Sequence, residues 1–293
     1  MAEDKRRSVL ITGCSNGGIG HSLALEFLKN GLRVFATARD RETISDLKEK
    51  GIDTLSLTVD KEESVKACFN EVTELLGGKG LDYLVNNAGR NYTVPALDVD
   101  MTEVRETFET NVFAVMYMCQ TFAPLLIKAK GTIVQLGSLA GMMPYVFGSV
   151  YNASKAALHL YSDTLRVELA PFGVKVTTIV TGGVKSRIAR TPRALSKDSL
   201  YYPINAEYQR RLTHSQRAGV PNEQYAKQVV TEILYGRAPW RWLWPWSKPS
   251  HYIWAGGKVT AAWICNWGWT WYGLSDTVIS WMFGINKLKR YVK

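Results

Sequence analysis

Thr12-Gly13-Cys14-Ser15-Asn16-Gly17-Gly18-Ile19-Gly20 (TGCSNGGIG) follows the apolar run Ser8–Ile11 and precedes His21–Leu28, whose apolar residues fall at helical spacing. Four glycines in nine residues at a strand–helix junction let a backbone turn sharply and approach an anion, and the N-terminus of the next helix favours negative charge. The glycines depart from the GxGxxG dinucleotide fingerprint, so alone the stretch reads equally as a phosphate cradle or as an ordinary glycine-rich turn. Gly13 is expected to make the turn and Gly18-Ile19-Gly20 to open the helix. Ser15 and Asn16 offer only neutral hydrogen bonds beside any bound phosphate.

Outward from this loop, short runs rich in β-branched residues alternate with longer segments of helical spacing. The strands are Ser8–Thr12, Arg33–Thr37, Thr54–Val59, Tyr83–Asn86, Thr132–Gly137 and Lys175–Val180, with His251–Gly256 as the last. Helical spacing places Leu23, Phe27 and Leu28 on one face, then Val65, Phe69, Val72 and Leu75, then Leu158, Leu165 and Leu169. Such alternation predicts an α/β fold, a doubly wound parallel sheet of Rossmann type in a single domain over residues 1–257. Ligands in such sheets bind at the carboxyl ends of the strands, so each strand end carries functional weight.

Strand two ends Ala36-Thr37-Ala38-Arg39-Asp40. An acidic residue at this end binds a ribose 2′-OH, whereas an Arg receives a 2′-phosphate; with Ala38 in the acidic slot, Arg39 points to NADP rather than NAD. A solvated surface arginine is the bland alternative. Asp60, at the end of strand three, and Asn87-Ala88-Gly89, after strand four, lie where adenine and ribose would pass; Asn86-Asn87 reads equally as a self-capped turn. Strand five runs into Gly137-Ser138, and Tyr151-Asn152-Ala153-Ser154-Lys155 follows thirteen residues later. Tyr and Lys four apart share a helix face. A nearby ammonium favours the phenolate, which suits Tyr151 to proton transfer, while Ser138 is suited to hold a carbonyl or alcohol oxygen. Strand six leads into a second glycine turn, Thr181-Gly182-Gly183-Val184-Lys185-Ser186.

With these residues in order, roughly residues 8–236 resemble the short-chain dehydrogenase/reductases. The likeness rests on the glycine loop, on Asn86-Asn87-Ala88-Gly89, on the strand-five Ser and on Tyr-x-x-x-Lys. It implies an enzyme with NADP as cofactor and a catalytic set of Asn111, Ser138, Tyr151 and Lys155. Asn111 would hold a water in a proton relay, Lys155 would bind the nicotinamide ribose and lower the Tyr151 pKa, and Val184 and Ser186 match positions that meet the nicotinamide carboxamide. Two departures stand out. Four residues separate Gly13 from Gly18 where three are usual, and the Pro-Gly after strand six is Thr181-Gly182 here. Phe122–Val134, Gly137–Gly141 and Phe147-Gly148-Ser149 bring the chain nearest to the branch of NADPH-dependent 1-acyldihydroxyacetone-phosphate reductases, which also holds reductases and dehydrogenases of polyketide and terpenoid pathways. Homodimerisation through the helices around residues 102–127 and 151–169 is a further implication of the family.

Composition bounds the rest. The chain has 293 residues and a net charge of +10, concentrated in 185–217 and 237–293. No nucleic-acid module accompanies that charge. Four cysteines without paired spacing fit a reducing compartment and offer no metal site. The N-terminus runs directly into a strand, so an intracellular location is expected. Residues 185–217 form the expected substrate loop; Arg187, Arg190, Arg193 and Lys197 would meet an anionic group or else lie solvated, and Tyr201, Tyr202 and Tyr208 would line a lipophilic substrate. All ten tryptophans fall between Trp240 and Trp281. Residues 258–293 thus form a hydrophobic, Trp-rich C-terminal extension with a basic end. It reads as an anchor on a membrane or lipid surface, such as the endoplasmic reticulum or a lipid droplet, with a tail packed on a cytoplasmic protein as the alternative. The expected reaction interconverts a ketone and a secondary alcohol on a lipophilic small molecule; an NADP-binding scaffold or sensor is the non-enzymatic alternative.

Overall fold

The computed structural model describes residues 4–189, 193–236 and 251–257, together with 259, 280–282, 284, 285 and 287. Seven strands form the main sheet: β1 (Ser8–Ile11), β2 (Arg33–Ala38), β3 (Asp53–Ser56), β4 (Tyr83–Asn86), β5 (Thr132–Leu136), β6 (Lys175–Thr181) and β7 (Tyr252–Ala255). Their order is β3-β2-β1-β4-β5-β6-β7, and every pairing is parallel. The chain therefore winds outward from β1 to β3, then returns to lay β4 on the other side of β1. The crevice opened by that reversal is where a doubly wound sheet binds its ligand.

The strands are apolar runs because both faces are covered. On one face α1 (Ile19–Lys29) brings Leu23, Ala24 and Phe27 against Val9, Ile11 and Val34. A late helix, Asn222–Tyr235, adds Tyr225, Val229 and Val230 to the same cluster. On the other face α2 (Glu62–Leu76) and α3 (Met101–Ala129) pack Val65, Val72, Met118 and Phe122 on Leu10, Phe35, Leu84 and Ile133. The catalytic-helix candidate α4 (Ser149–Leu169) contributes Leu158. Among the described residues α3 alone is long and apolar enough to cross a membrane, yet its apolar face is this core face.

The expected strands appear, with one end moved. β3 stops at Ser56 rather than reaching Val59, because Ser64 Oγ of α2 captures the Thr58 N–H at 2.9 Å. Asp60 consequently sits exposed in the connection. After β6, residues Val184–Lys185 pair with Val220–Pro221 in a small second sheet. Between them lie the helix Asn205–Leu212, here α5, and the short helix His214–Ala218. Phe147, Leu195, Ile204 and Tyr208 form a separate apolar cluster under this loop, with Ile285 of the C-terminal extension packed against it. Lys287 pairs with Glu207 of α5. The described end of the extension thus returns to the segment 185–217, while Trp281 is 76% exposed. The tryptophan-rich stretch 240–246, Cys265 and most of 258–293 lie outside the described residues, as does Arg190.

Candidate active site

The site is built where β1 and β4 end side by side. Thr12 Oγ1 accepts from the N–H groups of Asn87 and Ala88 at 3.0 and 2.9 Å, and Asn87 Nδ2 donates to the carbonyls of Thr12 and Gly13 at 2.8 and 2.9 Å. Gly13 turns at φ +73°, and a Cβ there would stand 3.0 Å from Ala88 Cα. At Gly20 a Cβ would strike Gly13 O at 2.5 Å, so only glycine lets the first turn of α1 approach so closely. Gly18 is the N-cap residue and Ile19 the first helical residue, as expected. The additional loop residue is accommodated at Asn16-Gly17: Gly17 takes φ +71°, Asn222 Nδ2 donates to its carbonyl at 3.0 Å, and Arg187 Nη1 donates to Asn16 O at 2.9 Å. Arg187 therefore meets the glycine loop rather than the substrate side.

Beneath this turn Cys14 is fully buried, its thiol donating to Ile11 O at 3.3 Å, and burial pushes it up to about 12. Arg39 is exposed just past the buried Ala38. Asp40 turns its carboxylate onto the N–H of Glu42 at 3.0 Å, as a cap for the next helical turn, and leaves the Arg39 position without an acidic competitor of its own. Ser15 and Asn16 are exposed, and Val184 and Ser186 are buried just before Arg187, which reaches the glycine loop.

The four candidate catalytic residues converge. Ser138 follows β5 and shares a hydrogen bond with the Tyr151 phenol. Lys155, one turn after Tyr151 on α4, has its Nζ 5.9 Å from the centre of the Tyr151 ring and donates to Leu136 O at 2.7 Å. Asn111 lies in a π-helical turn, Glu109–Phe113, inside α3; such turns recur at functional sites because they re-aim a side chain. Its amide exchanges hydrogen bonds with the Arg90 backbone at 2.8 and 2.9 Å and donates to Ser154 Oγ at 3.0 Å, which in turn donates to Tyr151 O at 2.8 Å. A Cβ added at Gly89 would sit 3.4 Å from Asn111 Oδ1 and 3.8 Å from Lys155 Nζ. The hollow over these groups is kept open by glycine and lined by an amide and an ammonium, a donor set that fits a ribose.

The electrostatics differ from the simple expectation. Burial raises the Tyr151 phenol above its ordinary value, against the opposing Ser138 hydrogen bond and the charge of Arg211. Burial also draws the Lys155 ammonium down to about 8. Both groups are tuned toward neutrality by desolvation.

A sequence profile described as short chain dehydrogenase matches residues 7–195. An NADPH-dependent 1-acyldihydroxyacetone phosphate reductase of Schizosaccharomyces pombe is 42% identical over 269 residues, covering 88% of each chain. Short-chain dehydrogenase srdE of Neurospora crassa is 42% identical over 246 residues, covering 83% of this chain and 84% of its own. Among solved structures, NADPH-bound carbonyl reductase from chicken fatty liver matches with a TM-score of 0.59 at 29% identity, covering 64% of this chain and 84% of that one. The chain belongs to the short-chain dehydrogenase family, an oxidoreductase family, and its Asn111, Ser138, Tyr151 and Lys155 stand together in one cleft.

Sequence reasoning missed several contributors. Ser154 links Asn111 to the Tyr151 backbone, and its place inside Tyr-x-x-Ser-Lys was the available signal. His159, one turn beyond Lys155, accepts the Ser138 N–H on Nε2 at 3.1 Å and so fixes the serine from behind. Arg211 carried no motif at all. Burial lowers His159 from 6.5 to about 4. Its folded pKa is depressed, so its contribution is complete above pH 6.5 and is lost as pH falls toward 4. Urea unfolding at stepped pH is expected to show wild type losing up to about 3 kcal/mol more than His159→Gln across that window. Parallel pH curves for the two proteins would contradict this.

Proposed function

We propose that the protein is an NADP(H)-dependent oxidoreductase that interconverts a ketone and a secondary alcohol on a lipophilic substrate. The observation that carries it is the meeting of Ser138, Tyr151 and Lys155 beside a glycine turn whose second strand ends in Ala38-Arg39. NADP(H) is held by Gly13, Ser15, Asn16, Gly18, Ile19 and Gly20 along its phosphates, with Arg39 at the 2′-phosphate. Asp60, Asn87, Ala88 and Gly89 take the adenosine side, and Tyr151, Lys155, Val184 and Ser186 the nicotinamide side. When bound, the nicotinamide supplies or accepts the hydride.

The chain's own residues do the remaining work. Ser138 holds the substrate oxygen and is itself held by His159. Tyr151 gives its phenolic proton to that oxygen in reduction and takes it back in oxidation. Lys155 lies close enough to stabilise the phenolate, and Asn111 keeps the Tyr151 turn and the Arg90 backbone in register.

For the substrate, the acyldihydroxyacetone phosphate class is supported by the fission-yeast relative and by the loop's cationic sequence. A neutral polyketide or terpenoid ketone is supported by the loop's geometry. Arg193 donates to Glu103 at 3.1 Å and stacks 4.6 Å above the Tyr92 ring; Arg210 and Lys287 both pair with Glu207. These cations are already engaged. A cavity of about 590 Å³ lies between Tyr92–Asp98 and Arg193–Ser199, and Ser138, Tyr151 and Lys155 are not among its lining residues. Of the expected aromatic lining, Tyr208 is instead a core residue whose hydroxyl donates to Thr93 O at 2.9 Å.

The Trp-rich extension holds the enzyme on a lipid surface, which supports a location at the endoplasmic reticulum or a lipid droplet. The exposed Trp281 and Met282 next to a basic end suit a headgroup boundary. A homodimer through α3 and α4 is supported by the exposed Phe113, Leu160 and Val167.

Tyr151→Phe is expected to lower turnover by about two to four orders of magnitude while NADPH affinity, read from nucleotide fluorescence, stays within a few-fold. Wild-type rates in that variant would remove Tyr151 from the reaction. Replacing Arg39 by Asp should move the kcat/KM ratio of NADP to NAD about ten-fold or more toward NAD, since a charged hydrogen bond is worth about 1.5–3 kcal/mol. An unchanged ratio would place 2′-phosphate recognition elsewhere. Full-length protein is expected to stay with membranes through a high-salt wash and to lose them when residues 258–293 are deleted; a fully soluble full-length protein would refute the anchor.

A further inference from the structure

Two short strands outside the main sheet, Val184–Lys185 and Val220–Pro221, pair in parallel, with Val184 beside Val220 and Lys185 beside Pro221. The two chain segments therefore leave this small sheet at the same end, and each sends a side chain to the glycine loop. Arg187 Nη1 donates to Asn16 O at 2.9 Å, and Asn222 Nδ2 donates to Gly17 O at 3.0 Å. Arg187 is placed from both sides. Gln216 Nε2 donates to the carbonyl of Ser186 at 2.7 Å, and the arginine stem lies along Gly17, where an added Cβ would stand 3.3 Å from its Cδ. Asn222 opens the helix Asn222–Tyr235, whose Tyr225 and Val229 share one apolar cluster with Leu23 and Phe27 of α1. The small sheet is thus braced on the same helix that the glycine loop opens.

The loop Thr12–Gly20 contains no basic residue of its own. Bracing its carbonyls needs only neutral donors, and the amide of Asn222 supplies one. Arg187 spends one N–H on Asn16 and keeps a full charge with the rest of its planar fork, the geometry that suits phosphate oxygens. Arg193 and Arg210 of the same segment are paired with carboxylates, whereas Arg187 is exposed and makes no ion pair among the described residues. Its chain neighbour Ser186 holds the position given to the nicotinamide side, and its guanidinium stands at the phosphate loop. In a dinucleotide the group between those two points is the pyrophosphate. We propose that Arg187 is a cofactor-binding residue that pairs with the pyrophosphate of NADP(H), on the reading given above of the glycine turn as the nucleotide's cradle. The additional loop residue at Asn16-Gly17 then has a use. It offers the carbonyls that receive Arg187 and Asn222, so a cation absent from the loop's own sequence arrives from 171 residues away. Arg39 selects which nucleotide binds; Arg187 strengthens the binding of both.

The test is nucleotide fluorescence of the full-length protein titrated with NADPH and, separately, with NADH. Arg187→Met is expected to weaken both by the same factor, about ten-fold or more at low salt, because the pyrophosphate is common to the two. Arg187→Lys should fall between Arg187→Met and wild type, since an ammonium restores the charge without the bidentate fork. Rising salt should weaken wild type more steeply than Arg187→Met, because a cation–phosphate pair is screened and a brace between neutral groups is not. A loss confined to NADPH would place Arg187 at the 2′-phosphate and overturn the assignment. Unchanged affinities, or salt curves that run parallel, would reduce Arg187 to a brace of the loop and overturn it as well. A wild-type protein that binds neither nucleotide refutes the cradle reading itself, whereas an Arg187 failure with wild type still binding leaves that reading standing.

Discussion

Two strand ends bound to each other hold this site together. Thr12 closes β1, Asn87 follows β4, and four hydrogen bonds between Thr12-Gly13 and Asn87-Ala88 fix the gap at the point where the sheet reverses its winding. Because the two backbones are locked at this spacing, Gly13 must turn at a positive φ and Gly20 must lack a Cβ. The cleft that follows has one wall from the glycine loop and the other from Gly89, Asn111 and Lys155. Loosening that pair of strand ends would widen the nucleotide side and separate it from the proton-transfer side together.

Much of this was legible in the sequence because it is local. A strand, its terminal residue and the first turn of the next helix lie within ten residues, so Gly13, Arg39, Ser138 and the Tyr151–Lys155 turn could be placed from spacing alone. The unreadable parts depend on contacts between distant segments. The π-turn that aims Asn111 leaves no mark in composition. The early end of β3 is set by a serine hydroxyl six residues away competing for one N–H. Arg211 reaches α4 from a helix 60 residues downstream, and no periodicity announces it. Residue order names the groups at strand ends, while tertiary packing decides what faces them.

Charge shows the same limit. The loop's net positive sequence read equally as a contact for an anionic group or as a solvated lid, yet Glu103 engages both Arg90 and Arg193, and Glu207 engages Arg210 and Lys287. Ion pairs at half-exposed positions add little stability. What they do here is tie the segment 185–217 to α3 and to the C-terminal extension. Local excess charge becomes loop docking rather than a bare electrostatic field. The extension, in turn, is connected to α4 through α5.

The thiol beneath the glycine turn carries a chemical consequence. Only a thiolate attacks an electrophile, and Cys14, Cys68 and Cys119 are all buried and pushed up to between about 11 and 12. Cys14 sits fully buried beneath the glycine turn and is kept protonated there. Alkylating compounds that would inactivate a thiolate-lined turn therefore find no such group at this one.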